Sequence, residues 1–323
     1  MTYSQADITV PYAVANFAEI RHKGYYYVDK TNYIPLLERY KAPVFLRPRR
    51  FGKSLLVSML AHYYDRNMAT QFKDLFGGTW IGEHPTNEHN QYLVVRYDFS
   101  TTSVASKKED IEKNFNAVNC SPLRTLVERN RDLFGDFRFR EDGNASNMLV
   151  EVCEFISSHN LPPLYILIDE YDNFTNQLLV VYKDSLYQDL TTGESFLRTF
   201  FKVIKAGIGE GTIRTCFCTG VLPVTMDDLT SGYNIAEMLT LKPEFTNLLG
   251  FTHEEAAQYL KYVINKYGPQ ASFEELWTLI LNNYDGYHFL PNAEPLFNST
   301  ILTYFLKNFA ELKGGIPTEM VDE

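Results

Sequence analysis

The chain has 323 residues, a net charge of −10 at pH 7, and hydrophobic and aromatic contents of 45% and 15%. These values favour a well-packed soluble protein, exclude a disordered chain, and argue against a global attraction to nucleic acid. No apolar run approaches the ~20 residues that cross a bilayer, so we expect a cytoplasmic protein without a membrane partner. The four cysteines show neither metal-ligand nor CxxC spacing, and we expect them to be reduced and buried.

Short, nearly continuous apolar runs predict the buried strands of a parallel sheet that helices cover on both faces. These runs span residues 44–47, 92–100, 164–170 and 213–220, with a weaker fifth candidate at 246–251. Helical spacing of apolar residues occurs between them, at Leu56, Met59, Leu60 and Tyr63 and again at Leu197, Phe200, Phe201 and Ile204. We expect Gly207 to end the second helix. The alternation of strands and helices predicts an α/β fold.

The pattern changes after residue 250. The sequence "THEE" (252–255) has the form of a capping box, and apolar residues at helical spacing follow it. Two further amphipathic segments, "SFEELWTLIL" and "STILTYFLKNF", complete an all-helical region. We therefore predict two domains, an α/β core over residues 1–250 and a small helical domain, lid-like or winged-helix-like, over residues 251–323.

The stretch "RPRRFGKS" (47–54) lies between the first predicted strand and its helix. A phosphate-binding loop needs a strand, inward-facing N–H groups, a lysine, a hydroxyl and a helix start. Gly52 would leave room for phosphate, Lys53 would neutralise it, and Ser54 would hold Mg²⁺. Such loops normally begin with glycine, whereas Arg47 stands here before a proline, which favours an extended residue that continues the strand. The competing interpretation is a surface helix that begins after a glycine.

A second motif, "PLYILIDEYDNF" (163–174), runs an apolar strand into Asp169 and Glu170. Ligands of open α/β sheets bind at the carboxyl ends of the strands, where such acids would meet a phosphate loop. We expect Asp169 to hold Mg²⁺ through water and Glu170 to act as general base on the attacking water. The alternative is a strand end whose acids cap the next helix or are solvated.

Thr219 ends the fourth predicted strand. It is placed to sense the γ-phosphate if that strand neighbours the acidic one, and a threonine that bonds only to backbone is the competing interpretation. Arg198 and Arg214 could stabilise charge, but surface helices commonly carry arginines, and we assign neither a role.

With these motifs in view, the chain resembles the predicted AAA-ATPase-like family. The matching segments follow one another along nearly the whole chain: "YYYVDKTNYIPLLERY", "FLRPRRFGKSLLVSML", "ILIDEYDNF", "TGVLPVTMDDLTSGYNIAEMLTLKPEFTNLLGFTHEE" and "NNYDGYHF". The resemblance implies a P-loop NTPase fold of the AAA/ASCE type, a parallel sheet flanked by helices, and "RPRRFGKS" as the family's usual form of the loop.

The resemblance also implies a site for ATP and Mg²⁺. Catalysis would rest on Glu170, Lys53 and Thr219, and the metal would be held by Ser54 and Asp169. Nucleotide contacts would come from the loop, at Arg49, Arg50, Phe51, Gly52, Lys53, Ser54 and Leu55. The segment "YVDKT" (27–31), with Asp29, resembles the segment beside adenine in related ATPases, although a helix-start signal at Asp29 or Thr31 is the alternative.

Proteins of this family usually carry a C-terminal nuclease domain of the PD-(D/E)xK type, which would follow residue 323. We therefore expect no nuclease activity from these residues, and either a fragment or an ATPase-only member. The expected partners are ATP and ADP, a nuclease domain or effector outside this chain, a homo-oligomer, and DNA only indirectly.

Three functions follow from the site. The first is a Mg-dependent ATP-hydrolysing switch that regulates an attached or associated nuclease or other effector. The second is a regulatory scaffold that holds nucleotide with little or no turnover. The third is a small-molecule or nucleoside kinase, against which Glu170 argues, because an activated water suits hydrolysis rather than transfer to a bound hydroxyl.

Overall fold

The fold is seen in a computed structural model of the chain. It describes residues 9–102, 108–140, 143–173, 195–222, 233–268, 271–284 and 286–319. The described α-helices, in chain order, are α1 Phe17–His22, α2 Ile34–Leu37, α3 Lys53–Tyr64, α4 Phe72–Phe76, α5 Trp80–Glu83, α6 Lys108–Arg129, α7 Arg131–Phe134, α8 Ala145–His159, α9 Phe196–Glu210, α10 His253–Tyr267, α11 Phe273–Tyr284 and α12 Ser299–Glu311.

A parallel sheet of five strands forms the centre of the molecule. The strands are β1 Pro43–Leu46, β2 Leu93–Asp98, β3 Leu164–Asp169, β4 Ile213–Gly220 and β5 Glu237–Met238, in the spatial order β2-β3-β4-β1-β5. The order places β4 between β1, which leads into the loop, and β3, which ends in the acids. The predicted α/β fold of the P-loop NTPase type is confirmed, with four of its predicted strands.

The fifth predicted strand, at 246–251, is wrong. That stretch forms turns after a short 3₁₀ helix (Pro243–Phe245), and Gly250 takes a left-handed conformation with φ +84°. Its leucines are buried without forming a strand. The actual fifth strand is β5, whose two residues are exposed at the sheet edge and therefore carry no apolar signal.

Two cores lie on opposite faces of the sheet. Successive strand residues point to opposite faces, so in β3 Ile166 and Ile168 join the core beneath α6, α8 and α9, whereas Tyr165 and Leu167 join the core beneath α3. All four cysteines are free and buried, as expected. The continuous apolar character of the strands thus follows from helices on both faces.

The predicted end of the helix now called α9 is wrong. Gly207 lies inside the helix, and α9 ends instead before Gly211, whose φ of +82° gives the left-handed cap. A Cβ on Gly207 would lie 2.5 Å from Cδ1 of Ile213 in β4. The glycine therefore permits close packing of the helix on the sheet and does not end the helix.

The C-terminal helices α10, α11 and α12 form a separate cluster, which we call the helical unit. The predicted capping box at its start is confirmed between Thr252 and Glu255. The N-terminal segment joins this unit, because Val10 lies in its core and the Tyr26 ring stacks on Tyr259 with centroids 4.2 Å apart. The division at residue 250 stays a prediction.

Candidate functional site

The loop over residues 47–54, here called the phosphate loop, connects β1 directly to α3. Gly52 is the residue before α3 and has a φ of +89°, a conformation that glycine adopts at little cost. Lys53 and Ser54 follow as the first residues of the helix, where the helix dipole favours an anion. The sequence of strand, loop, glycine, lysine and helix therefore has the geometry of a phosphate site.

The Lys53 side chain folds back inside the phosphate loop and closes it by binding the start of the loop. Its Nζ donates to the carbonyl oxygens of Arg47 and Pro48, at 3.0 and 2.9 Å, and only 5% of the residue is exposed. Burial lowers the pKa of Lys53, while the nearby carboxylates, led by Glu170 and Asp169, act to raise it. An ammonium has three donors, so a third remains for a ligand anion.

Arg47, at the position usually taken by glycine, anchors the start of the phosphate loop. Its guanidinium donates to the carbonyl oxygens of Leu46, Thr240 and Thr246, at 3.0 to 3.3 Å. It also stacks on the Phe289 ring at 3.9 Å, and burial lowers its pKa to about 10. The expected continuation of β1 by one residue also occurs, because the Arg47 N–H donates to the carbonyl oxygen of Gly220 at the end of β4. No local pattern in the sequence indicates the anchoring contacts.

The middle of the phosphate loop divides into exposed and buried side chains. Arg49 and Arg50 are exposed, and Arg50 has a φ of +70°, which is unusual for a residue other than glycine. Phe51 instead is 1% exposed and packs edge-on against Tyr287 and Phe289, with ring centroids 4.9 and 5.5 Å away. The loop therefore packs, through Phe51, against the segment between α11 and α12.

β3 ends at Asp169, and Glu170 begins a turn beside the phosphate loop. Glu170 has a φ of +50°, and its carboxylate accepts a hydrogen bond from Asn173 Nδ2 at 2.8 Å. Such left-handed residues other than glycine are strained by roughly 1–3 kcal/mol and concentrate at functional sites. The nearby Ser54 hydroxyl acts to lower the pKa of the Asp169 carboxylate, so the two predicted metal ligands adjoin each other.

Thr219 lies in β4 next to the acidic strand, as its predicted role requires. It is fully buried, and its hydroxyl has no hydrogen-bond partner among the described residues. Its carbonyl oxygen accepts from the Tyr171 N–H at 3.0 Å, which ties β4 to the acidic turn. Because buried hydroxyls are usually paired, the unpaired Thr219 hydroxyl fits a residue that awaits a ligand or water.

Asp172 is a site residue that the sequence reasoning missed. It is 1% exposed, and its carboxylate accepts from the N–H groups of Val221, at 3.0 and 3.1 Å, and Leu222, at 2.7 Å. A Cβ on Gly220 would lie 2.3 Å from Asp172 Oδ1, so only glycine fits there. The sequence feature that could have indicated Asp172 is the third acidic residue of "DEYD" (169–172).

Three other named residues lie apart from this cluster. The Asp29 carboxylate accepts from the N–H groups of Thr31 and Trp80, at 2.9 and 2.7 Å, which is the geometry of the helix-start alternative. Arg214 pairs with Glu88 at 3.0 Å, at the end of β4 opposite Thr219. Arg198 lies in the first turn of α9. The adenine-side role of Asp29 stays a prediction.

The phosphate loop and Glu170 line a cavity of about 270 Å³. The predicted loop contacts that line it are Arg49, Arg50, Phe51, Gly52, Lys53, Ser54 and Leu55. The opposite walls come from the N-terminal segment, the stretch 248–251 and the helical unit. They are largely apolar, with Val14, Ile20, Tyr26, Val28, Leu248, Leu249, Phe251 and Tyr259. One cavity thus combines a cationic end with an apolar one.

Comparison with known families agrees with this geometry. The family described as "Predicted AAA-ATPase" matches residues 11–230. The chain belongs to the predicted AAA-ATPase family. Membership suggests nucleotide binding, which the lysine-closed phosphate loop and its adjoining cavity can accommodate.

A relative from Azotobacter chroococcum mcd 1, described as an uncharacterized protein in the vnfD 5′ region, is 26% identical over 255 residues. The match covers 76% of this AAA-ATPase family chain but only 43% of the relative, so the chain spans less than half of that protein's length. No solved structure matches the chain. Within the described residues, no helix is both long and apolar enough to cross a membrane.

The residues present fit a magnesium ion of the kind that bridges to a nucleotide. The described residues contain no group of three or more histidine, cysteine or acidic side chains that could hold a metal ion by itself. Magnesium at such sites takes only one or two protein carboxylates, together with waters and substrate phosphates. Asp169 beside the Ser54 hydroxyl supplies that smaller set, and burial raises the pKa of Asp169 above its ordinary value.

Proposed function

We propose that the chain binds ATP with Mg²⁺ and hydrolyses it, and that it acts as a switch for an attached or associated effector. The supporting observation is that a lysine-closed phosphate loop, the Ser54–Asp169 pair and Glu170 adjoin one another at the carboxyl edge of one sheet. This is the edge at which α/β proteins bind ligands.

The loop residues would bind the triphosphate. Lys53 offers the donor that its two carbonyl contacts leave over, and the exposed guanidinium groups of Arg49 and Arg50 add positive charge to the cavity wall. The apolar end of the cavity, between the N-terminal segment and the helical unit, has the chemistry to take a base. The side chains of Ser54 and Asp169 would hold Mg²⁺, which supplies charge stabilisation on the phosphate oxygens when bound.

Glu170 would act on the attacking water. It directly follows the acidic strand, lines the cavity and is held by a turn and by Asn173. A carboxylate fixed this way can accept a proton from water, and general-base catalysis of this kind contributes roughly 10²–10⁴-fold. The Thr219 hydroxyl, buried on the neighbouring strand, would sense the phosphate that leaves.

The switch follows from the position of the cavity. Its walls come from the sheet unit, the N-terminal segment and the helical unit. A ligand that contacts all three makes their arrangement depend on the nucleotide state, and hydrolysis removes one phosphate from that contact set. An attached nuclease or other effector, which the family resemblance implies, would read the change.

Steady-state ATP hydrolysis of wild type and Glu170→Gln tests the proposal. We expect turnover to fall by roughly 10²–10⁴-fold while the Kd for MgATP changes little, because the substitution removes the base and keeps the shape. The control is Glu128→Gln, an exposed residue paired with Arg131 on α6 and α7, which should leave turnover unchanged.

The second function, a nucleotide-holding scaffold, makes the opposite prediction. The extra arginines and the inward-held Lys53 would favour tight retention of product. Stoichiometric bound ADP in the purified protein, with no turnover in wild type, would support the scaffold and contradict the hydrolytic switch. A wild-type protein that binds no nucleotide would contradict both.

A further inference from the structure

The amino-terminal end of α12 contacts two backbone carbonyls of the phosphate loop, and its residues Ser299 and Thr300 line the same cavity as the loop. Asn298 Nδ2 donates to the Arg49 carbonyl oxygen at 3.1 Å, and the Thr300 N–H donates to the Arg50 carbonyl oxygen at 3.1 Å. The Ser299 hydroxyl lies 3.4 Å from the same Arg50 oxygen. Asn298 and Arg49 are 249 positions apart, and α12 lies outside the residues 11–230 that match the family.

Asn298 uses both ends of its amide. It is 3% exposed, and while Nδ2 bonds to the phosphate loop, Oδ1 accepts from the Ile301 N–H at 3.3 Å as the cap of α12. The cap fixes the orientation of the amide, so its donor points at the Arg49 carbonyl. The phosphate loop is thereby attached to the amino-terminal end of α12, one of the three helices of the helical unit.

Holding these carbonyls orients the loop N–H groups. In a trans peptide the C=O and N–H point in opposite directions, so fixing the carbonyls of Arg49 and Arg50 on α12 turns the N–H groups of Arg50 and Phe51 away from that helix. A phosphate-binding nest requires successive N–H groups on the inner side of the loop. The left-handed φ of +70° at Arg50 belongs to this arrangement.

We propose that Asn298 is a positioning residue for nucleotide. It replaces, from outside the loop, part of the rigidity that an initial glycine turn would provide, and it makes phosphate affinity depend on the helical unit. This role rests on the proposed nucleotide binding at the phosphate loop. Asn298 itself contacts the loop carbonyl and not the nucleotide.

Two substitutions separate the donor from the cap. Asn298→Asp keeps a strong cap acceptor but loses the donor, and Asn298→Ser keeps a cap acceptor without added charge while its shorter side chain withdraws the donor from the position of the amide nitrogen. We expect each to raise the Kd for MgADP, measured by titration calorimetry on the full chain, by at least about fivefold. Amide hydrogen exchange at residues 49–54 should become faster in both.

The matched controls are Asn144→Asp and Asn144→Ser. Asn144 caps α8 by accepting from the Asn147 N–H at 3.0 Å, away from the phosphate loop. Both controls should leave the Kd and the loop exchange unchanged. A loss of thermal stability that the Asn144 and Asn298 variants share would be attributed to weaker helix capping and not to the contact with the phosphate loop.

The outcomes separate this inference from the proposed function. A Kd for MgADP within twofold of wild type in both Asn298 variants would overturn the positioning role, whether or not loop exchange changes. If wild type itself binds no MgADP, the nucleotide function fails, and hydrogen exchange alone then decides whether Asn298 orders the loop. Unchanged exchange in that case overturns the inference as well.

Discussion

The phosphate loop and the acidic turn (169–173) adjoin each other at one edge of the sheet, yet they are held in different ways. The loop is fixed by groups distant in sequence: the carbonyls of Thr240 and Thr246 bind its first arginine, and Phe289 stacks on that arginine. The acidic turn is fixed by the end of the neighbouring strand, where Asp172 accepts from two consecutive N–H groups.

Because of this difference, the proposed nucleotide binding and the proposed hydrolysis depend on different supporting contacts. The support of the loop comes from Thr240, Thr246 and Phe289, all distant in sequence, and from the Asn298 cap of α12. Changes at these positions should therefore alter nucleotide affinity. The support of the turn stays within the sheet, so changes there should alter turnover with less effect on affinity. Substitutions that remove one support at a time can therefore test whether the two functions are held independently.

The largest expected effect comes from Arg47→Gly, which restores the glycine with which such loops usually begin. It removes three charge-assisted hydrogen bonds to carbonyls and a stacking contact, partly offset by the cost of burying a charge without a carboxylate partner. We expect the free energy of unfolding to fall by about 3 kcal/mol and nucleotide affinity to fall with it. Urea denaturation and calorimetric titration measure the two effects.

Arg49→Gly is the matched control for Arg47→Gly. Arg49 is exposed two residues further along the same loop, so the same chemical change should cost at most about 1 kcal/mol. Equal losses in the two variants would show that a glycine anywhere in the loop is harmful and that the Arg47 anchor has no special role.

Asp172→Asn tests the other side of the comparison. The amide replaces a carboxylate that faces backbone N–H donors, so one of its own N–H groups would oppose Val221 or Leu222. We expect a loss of about 2 kcal/mol in unfolding free energy and a lower kcat, with the Kd for MgADP nearly unchanged. Asp132→Asn, at an exposed ion pair with Arg66, should change stability by less than about 1 kcal/mol. A Kd that rises in parallel with the fall in kcat would contradict separate support of loop and turn.

The sequence predicted those features that local patterns encode. Continuous apolar runs located four strands, because a sheet covered on both faces leaves no polar alternation. Glycine followed by lysine and serine located the loop, and the capping box at Thr252 located the start of α10, because in both cases the required chemistry lies within a few residues. The sequence also predicted that the acids would lie near the phosphate loop at the carboxyl edge of the sheet, and Ser54 and Asp169 adjoin each other there.

Features that depend on distant contacts could not be predicted. Nothing local indicates that the Arg47 side chain is anchored, because Thr240 and Thr246, whose carbonyls hold it, lie about 200 residues away. Gly207 follows a helical pattern and so resembles a glycine that ends a helix. Its actual role, close packing of α9 on the sheet, depends on the side chain of Ile213. β5 has two exposed residues and forms only because β1 offers an unpaired edge. In each case the deciding atoms belong to another part of the chain.

The smallest expected effect is that of Arg50→Gly. At φ +70° a non-glycine residue is strained by roughly 1–2 kcal/mol, and glycine relieves this at an entropic cost of about 0.5–1 kcal/mol. The variant should therefore be as stable as wild type or up to about 1 kcal/mol more stable, whereas Arg49→Gly, compared in the same denaturation series, should be less stable than wild type. Affinity for MgATP should fall by a few fold in both, because each loses one positive charge at the cavity wall. If Arg50→Gly is the less stable of the two, the left-handed residue is not strained, and its side chain contributes to holding the loop.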